Sequence, residues 1–170
     1  MQSMPMGGLN NGDICDSDAP GMNGQAMELV RTLKVMTLAT GSDQGCWSAP
    51  VFFFYRPGGF YFFSSPTSRH IGEAGALDGL CGASLFHDTE SINELRGVQM
   101  QGVIELLTMT PETLGAAGGY VKKFGMQVTG DNVLAAITSH YRAKFYRFVP
   151  QETYYMDNRL GFGSRIKVNL

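Results

Sequence analysis

The apolar positions of this chain change period several times, and each change marks an element. From Gln25 to Lys34, Met27, Val30 and Leu33 recur at helical spacing, which predicts a short amphipathic helix. Val35 to Thr40 then alternates on a period of two, as a half-buried strand does. Gly41 to Gly45 supplies turn chemistry, and Trp47 to Tyr55 reads as a second strand, solidly aromatic and aliphatic from Val51 onward. Pro57-Gly58-Gly59 predicts a tight turn into a third strand, Phe60 to Ser64. Strands joined by turns this short form an antiparallel meander and leave no room for a crossover helix.

After Ser65 the pattern changes. Ser65 as N-cap and Pro66 at the first helical position predict a short helix running to about Ala76. Leu80 to Phe86 reads as a strand, and Val98 to Leu107 as a longer one. Thr110-Pro111-Glu112 opens another helix with a threonine cap, a proline in the first turn and an early acid. Val133 to His140 fits either a helix or a loop. Phe145 to Val149 and Thr153 to Met156 give the last strand signals. Six or seven mostly sequential strands with two or three inserted helices favour a mainly β protein closed into a barrel. Residues 1–24 are rich in Gly, Asn, Asp, Met and Pro without apolar periodicity, and read as a disordered or loosely packed tail. Residues 25–170 form one domain, and no internal repeat is visible.

Composition narrows the partners. The 170 residues carry a net charge of −2, with Lys and Arg scattered, so the footprint for a nucleic-acid backbone is missing. No apolar run approaches the ~20 residues needed to span a bilayer. The opening residues show neither a cationic nor a continuous apolar segment of a signal peptide, so no membrane partner is expected. Cys15, Cys46 and Cys81 are odd in number and lack CxxC spacing, which argues against a disulfide framework and against a zinc site. A reduced, cytoplasmic setting is the expectation.

Candidate chemistry concentrates where a strand gives way to a helix, at Phe62-Phe63-Ser64-Ser65-Pro66-Thr67-Ser68-Arg69-His70. A helix start presents unpaired N–H groups and the positive end of its dipole, which suits a phosphate. Ser65, Thr67 and Ser68 add hydroxyls, Arg69 a planar fork matched to phosphate oxygens, and His70 a further donor. An ordinary capped helix has the same composition, so residues alone leave both readings open. In Trp47-Ser48-Ala49-Pro50-Val51, proline within a strand marks an edge or a bulge, and the small Ser48 and Ala49 let a flat ring lie near the backbone. An edge strand blunted by proline is the plainer alternative. Asp157-Asn158-Arg159-Leu160-Gly161-Phe162-Gly163 reads either as a loop presenting one aromatic or as a turn over a buried Phe.

Missing motifs also inform. Neither GxGxxG after a strand nor GxxxxGK[ST] occurs, which disfavours the common nucleotide folds. GxSxG and HExxH are absent too. The three histidines are far apart in sequence and form no metal set.

Taken in order, Met36-Thr37-Leu38-Ala39-Thr40, Gly45, Ser48-Ala49-Pro50-Val51, Tyr61-Phe62-Phe63-Ser64-Ser65, Ser68-Arg69-His70 and Arg96-Gly97-Val98-Gln99-Met100-Gln101-Gly102 resemble the FMN-binding split-barrel superfamily, that of pyridoxamine 5′-phosphate oxidase. The likeness covers roughly Met27 to Leu107 well and loosens towards the C-terminus. It implies a six-stranded antiparallel split barrel that forms a homodimer with two FMN sites at the subunit interface. A Ser-Arg-Lys triplet holds the FMN phosphate in that family, and Ser68-Arg69-His70 matches it with His in place of Lys. By the same resemblance the strand around Ser48 to Val51 would lie along the ring and Gln99 would be directed towards the flavin, with Trp47, Ser64 and Ser65 as further cofactor-binding candidates. Asn158 and Phe162 would reach the ring from the other subunit. Two departures argue against vitamin B6 oxidation. His87 to Val98 is too short for the oxidase's helical insertion, and Arg159-Leu160 is followed by Gly161 where the oxidase has His.

The resulting expectation is an FMN-dependent oxidoreductase of unidentified small-molecule substrate, with no catalytic residue assigned. The alternative is a flavin-binding or FMN-storage protein without turnover. A third ligand, haem, would need an axial ligand standing in the cleft.

Overall fold

A computed structural model describes residues 19–127 and 133–170. The segment 1–18 of the expected tail, Cys15 included, lies outside the described residues. The chain runs α1 (Ala19–Thr32), β1 (Val35–Ser42), β2 (Gly45–Phe52), β3 (Phe54–Arg56), β4 (Gly59–Ser64), α2 (Arg69–Gly75), β5 (Leu80–Phe86), β6 (Arg96–Leu106), α3 (Pro111–Phe124), α4 (Val133–Tyr141), β7 (Lys144–Asp157) and β8 (Arg165–Lys167). Short 3-10 turns at Ile92–Glu94 and Asn158–Leu160 precede β6 and follow β7.

The strands form one antiparallel sheet in the order β2-β1-β5-β6-β7-β4-β3, with β8 added to β7. Its two ends curl together, so that β2 comes against β4 although the two strands are not hydrogen-bonded neighbours. The barrel is therefore split along that seam. Inward positions of every long strand fill it, with Met36, Leu38, Phe60, Phe62, Val98 and Phe148 at its centre. Ala26, Leu29 and Val30 of α1 close one opening.

Sequence and structure agree on the fold and differ in strand count, eight in place of six. The expected second strand breaks at Phe53, whose N–H donates to the Lys34 carbonyl, and β3 starts one residue later. The last two strand signals are one long β7, which a register shift opposite Gln101 and Gly102 allows to bend around the barrel. Three-residue β8 is too short to leave a period.

Two boundaries move for tertiary reasons. α1 opens at Ala19, ahead of the expected start at Gln25, because contacts from elsewhere hold its first turns. Met22 packs against the core, and Asn23 Oδ1 accepts from the Asn169 N–H. Residues 19–24 of the expected tail are thus helical. At the second boundary, Ser65 to Ser68 is a turn closed by the Ser68 N–H on the Ser65 carbonyl at 3.0 Å. Pro66 holds the second position of that turn, another place its fixed φ favours, and Ser68 precedes α2. α3 starts as expected, with a reciprocal Thr110–Thr113 capping box and Pro111 in its first turn, and ends on left-handed Gly125. The ambiguous segment at 133–140 is helical.

The outer face of the sheet is treated in two ways. Over β4 and β7 it is covered by α3 and α4, with Tyr61, Ala116, Ala117, Leu134 and Phe145 packed between. That second cover explains why β4 reads Phe-Tyr-Phe-Phe without alternation. Over β1, β2, β5 and β6 no described element covers it, apart from Phe124 of α3 against Phe52 at the end of β2. β1, β2 and β5 each place four residues there and β6 five, and of these seventeen only Glu105, at the end of β6 beside β7, is charged. Val35, Phe52, Leu80 and Phe86 stand exposed on this face.

Candidate functional site

The β4-to-α2 junction gathers the predicted donors. Ser64 is the last residue of β4, and its side chain faces inward, as Phe60 and Phe62 do. Ser64 Oγ lies 2.8 Å from His70 Nε2 and 3.1 Å from Ser68 Oγ, and Ser68 Oγ is 3.3 Å from the same nitrogen. Ser68 Oγ also donates to the Ser65 carbonyl at 2.8 Å. It therefore gives α2 no side-chain cap, while the Ile71 and Gly72 N–H groups donate to the Ser68 carbonyl at 3.1 and 3.0 Å. Ser65 and Thr67 pair their hydroxyls at 2.9 Å.

Burial separates the two titratable members of this cluster. His70 is 9% exposed, and desolvation holds its pKa below the ordinary histidine value, an effect the nearby Glu73 carboxylate partly offsets. It is neutral at pH 7, a hydrogen-bonding partner for Ser64 and Ser68. Arg69 turns the other way. Its Nε donates to Glu73 Oε1 at 2.7 Å, and its guanidinium lies 4.7 Å from the centre of the Trp47 ring. Hydrogen bonds from Thr40 and then Arg69 hold the Glu73 carboxyl below the usual range.

Beside this junction, at the split seam, a cleft of about 540 Å³ opens between β2 and β4 on one side and α3 and α4 on the other. Phe52, Phe63, Tyr120 and Phe124 wall it, with Met126, Ile137 and Ala143, and it reaches Ser64 and Ser65. The rings brace one another. Phe63 meets Tyr120 edge-on at 5.1 Å, Tyr120 lies 4.6 Å from Phe124, and Phe124 meets Phe52 at 5.3 Å. No lining residue carries a formal charge. A flat aromatic body in the cleft and an anionic tail at the serines and Arg69 would fit this arrangement.

The remaining predicted residues are distributed around this centre. Trp47 joins it through Arg69. Ala49 and Val51 turn their side chains into the core, so only their backbone faces the strand edge. Ser48 and Pro50 lie on the uncovered outer face of the sheet. Gln99 shares that face, because Pro50 pairs with Thr37, Thr37 with Ser84, and Ser84 with Gln99. Asn158 and Phe162 are not brought to the cleft of their own chain. β7 leaves Ser64 at Lys144 and ends at Asp157, about 40 Å of strand path away. Asn158 spends its amide within its loop: Nδ2 donates to the Ile92 carbonyl at 2.7 Å, and Oδ1 accepts from the Gly163 N–H at 3.2 Å. Phe162, between glycines at φ 131° and 73°, is 84% exposed. It is a presented aromatic, not a buried one.

Sequence reasoning passed over the cleft's far wall and over Glu73. Tyr120 and Phe124 stand four apart on α3, which alone reads as a core stripe. Glu73 follows Arg69 by four residues, and that spacing was the available signal. Cys81 is buried, its thiol pushed up to about 12 by desolvation, and Cys46 is exposed on β2. Among the described residues no group of three His, Cys, Asp or Glu could hold a metal, and no helix is long and apolar enough to cross a membrane.

No family model matches the sequence, and no curated protein matches it. Solved structures do. ChuZ of Campylobacter jejuni superposes with a TM-score of 0.71 over 88% of this chain at 14% identity, and the chain spans 60% of ChuZ. HutZ, described as the heme storage protein of Vibrio cholerae, aligns over 76% of this chain and 90% of its own with a TM-score of 0.61 at 13% identity. An FAD-binding protein of Mesorhizobium loti aligns over 76% and 89% with a TM-score of 0.57 at 16% identity. The fold is the split barrel of these proteins.

Proposed function

From the split-barrel fold we propose that this protein binds FMN and uses it as an oxidoreductase on a small, uncharged substrate. The observation that carries the reading is an aromatic cleft that reaches Ser64 and Ser65, with Ser68 hydrogen-bonded to Ser64 and Arg69 the next residue of the chain. The residues present fit the group. Aromatic walls suit the ring system. The α2 first turn, the serine hydroxyls and the Nη groups of Arg69 suit a terminal phosphate. Bound there, FMN supplies hydride or single-electron transfer. The protein's own part is to hold phosphate and ring in register and to keep water from the ring. The cleft offers hydroxyls but neither carboxylate nor imidazole, so no side chain is assigned as acid or base.

The site belongs to a homodimer in this reading. The outer face of β1, β2, β5 and β6, charged only at Glu105, suits a second copy, and Gln99, Ser48 and Pro50 would then lie within the interface. Pairing two barrels brings the partner's exposed aromatic loop to a cleft that the same chain's loop does not approach. A likeness to heme-binding proteins supports haem as a rival ligand. Against it, His70 is buried with its Nε2 engaged by Ser64 and Ser68, and among the described residues no histidine or cysteine lines the cleft.

Absorbance spectra of the purified protein, before and after adding FMN and desalting, test the proposal. Retained flavin bands support it, whereas a colourless protein that releases all added FMN overturns it. With FMN retained, Arg69→Ala is expected to weaken binding by ~1.5–3 kcal/mol, the range for a charged hydrogen bond, and to leave riboflavin affinity unchanged.

A further inference from the structure

We propose that Glu73 is a positioning residue of this site: it fixes the Arg69 guanidinium so that its Nη groups meet the ligand's phosphate. The inference rests on the FMN reading and assigns a role to a residue that touches no ligand. An arginine left to itself is a poor preorganised donor, because its long stem samples many rotamers and ordering it carries an entropic cost. Here two contacts order it before a ligand arrives, and two more hold the carboxylate that makes the first of them. Glu73 Oε1 takes the Nε edge at 2.7 Å, and the indole of Trp47 lies against the guanidinium at 4.7 Å. Thr40 Oγ1 donates to Glu73 Oε2 at 2.6 Å, and Ser42 Oγ lies 3.4 Å from Oε1. The Glu73 side chain is only 10% exposed, whereas that of Arg69 is 43% exposed. The carboxylate is thus held by the end of β1 and the arginine by the carboxylate through its Nε, which leaves both Nη groups without a contact to Glu73.

This arrangement has a second consequence. The Arg69–Glu73 pair is neutral overall and His70 is uncharged, so phosphate is recognised by directed N–H and O–H groups rather than by excess positive charge. Selectivity for FMN over riboflavin then depends on where the guanidinium points. Removing Glu73 raises the local positive charge but frees the arginine, and the proposal requires the loss of order to dominate.

The test compares FMN with riboflavin, which lacks the phosphate, by fluorescence titration of the full chain. Dissociation constants are measured for the wild type, Glu73→Gln, Arg69→Ala and the double variant. Thr40→Val serves as a milder probe that leaves Glu73 and Arg69 in place. The expected result is a loss of FMN-over-riboflavin preference of about tenfold in Glu73→Gln, the scale of one charged hydrogen bond. A smaller loss in Thr40→Val and no further loss on adding Glu73→Gln to Arg69→Ala are also expected. A merely structural role would weaken both flavins together and leave the ratio unmoved, which overturns the proposal. Preference lost in Arg69→Ala but kept or raised in Glu73→Gln overturns it while sparing the FMN reading. If Arg69→Ala leaves the preference unchanged, the phosphate assignment itself fails, and the role of Glu73 fails with it.

Discussion

At the scale of single residues, the junction between β4 and α2 is a place where neutral and charged donors are kept apart. His70 replaces a permanent charge with a buried imidazole whose pKa is pushed below the ordinary value by desolvation. This has a stability consequence whose sign follows from linkage. In the unfolded chain the imidazole takes up a proton near pH 6.5, and in the folded protein it resists until a lower pH. Between those two values the unfolded state binds more protons, so stability falls as pH drops through that window. Urea unfolding measured at pH 7.5 and at pH 5.5 is expected to show that loss, and His70→Gln is expected to show a smaller one. An equal loss in both proteins would assign the acid sensitivity elsewhere. The buried Asp157 belongs to a different arrangement, accepting from Tyr155 Oη at 2.9 Å and from Arg159 Nη2 at 2.6 Å. Gln25 of α1 joins it, its Oε1 accepting from Arg159 Nη2 at 2.8 Å. That network ties the first helix to the loop carrying Phe162.

Secondary-structure elements matter here mainly for what they seat. α3 carries Tyr120 and Phe124 to the cleft, and its own seat is a glycine contact. A Cβ added at Gly119 would clash with Cζ of Phe54 on β3. Gly119→Ala is therefore expected to destabilise the fold by ~1–3 kcal/mol, the usual range for overpacking, as read from urea unfolding midpoints. Because the helix must shift, both FMN and riboflavin should bind more weakly and by similar factors. Unaltered affinity for both would mean that the α3 wall contributes nothing to ligand binding. Much at this scale was legible in the chain. Thr110-Pro111-Glu112 announces α3, Leu80 to Phe86 announces β5, and alternation across Val35 to Thr40 separates the core-facing Met36 and Leu38 from the outward Thr37 and Ala39. The start of α1 was not legible, since Gly21 and Gly24 are weak helix formers and only contacts with Asn169 and the core favour that turn.

For the whole molecule the uncovered sheet face is the dominant feature. Seventeen outward positions with a single charge, Glu105, on a chain of net charge −2 are an unusual surface for a protein that stays alone. Ser84 sits near its middle, paired with Thr37 on one side and Gln99 on the other. Ser84→Lys places a charge there while remaining solvent-accessible in a lone chain. Sedimentation velocity is expected to show a dimer for the wild type and a monomer for the variant, with FMN retention lost alongside. A dimeric variant that keeps FMN would move the interface to another surface. What the sequence determined by itself was local. Period gave most elements. Turn chemistry gave the β1–β2 and β3–β4 hairpins but not a continuous meander, since β2 and β4 are not hydrogen-bonded. The run from Ser64 to His70 marked the strand-to-helix junction. In each case the deciding interactions lie within a few residues of one another. Tertiary structure alone decided that β2 and β4 meet in an open seam, that α3 and α4 wall it with rings, and that Glu73 faces Thr40 and Ser42. It also decided that Phe162 points away from its own chain's cleft. Those outcomes depend on how a curled sheet closes, and closure brings together residues whose separation along the chain leaves no periodic trace.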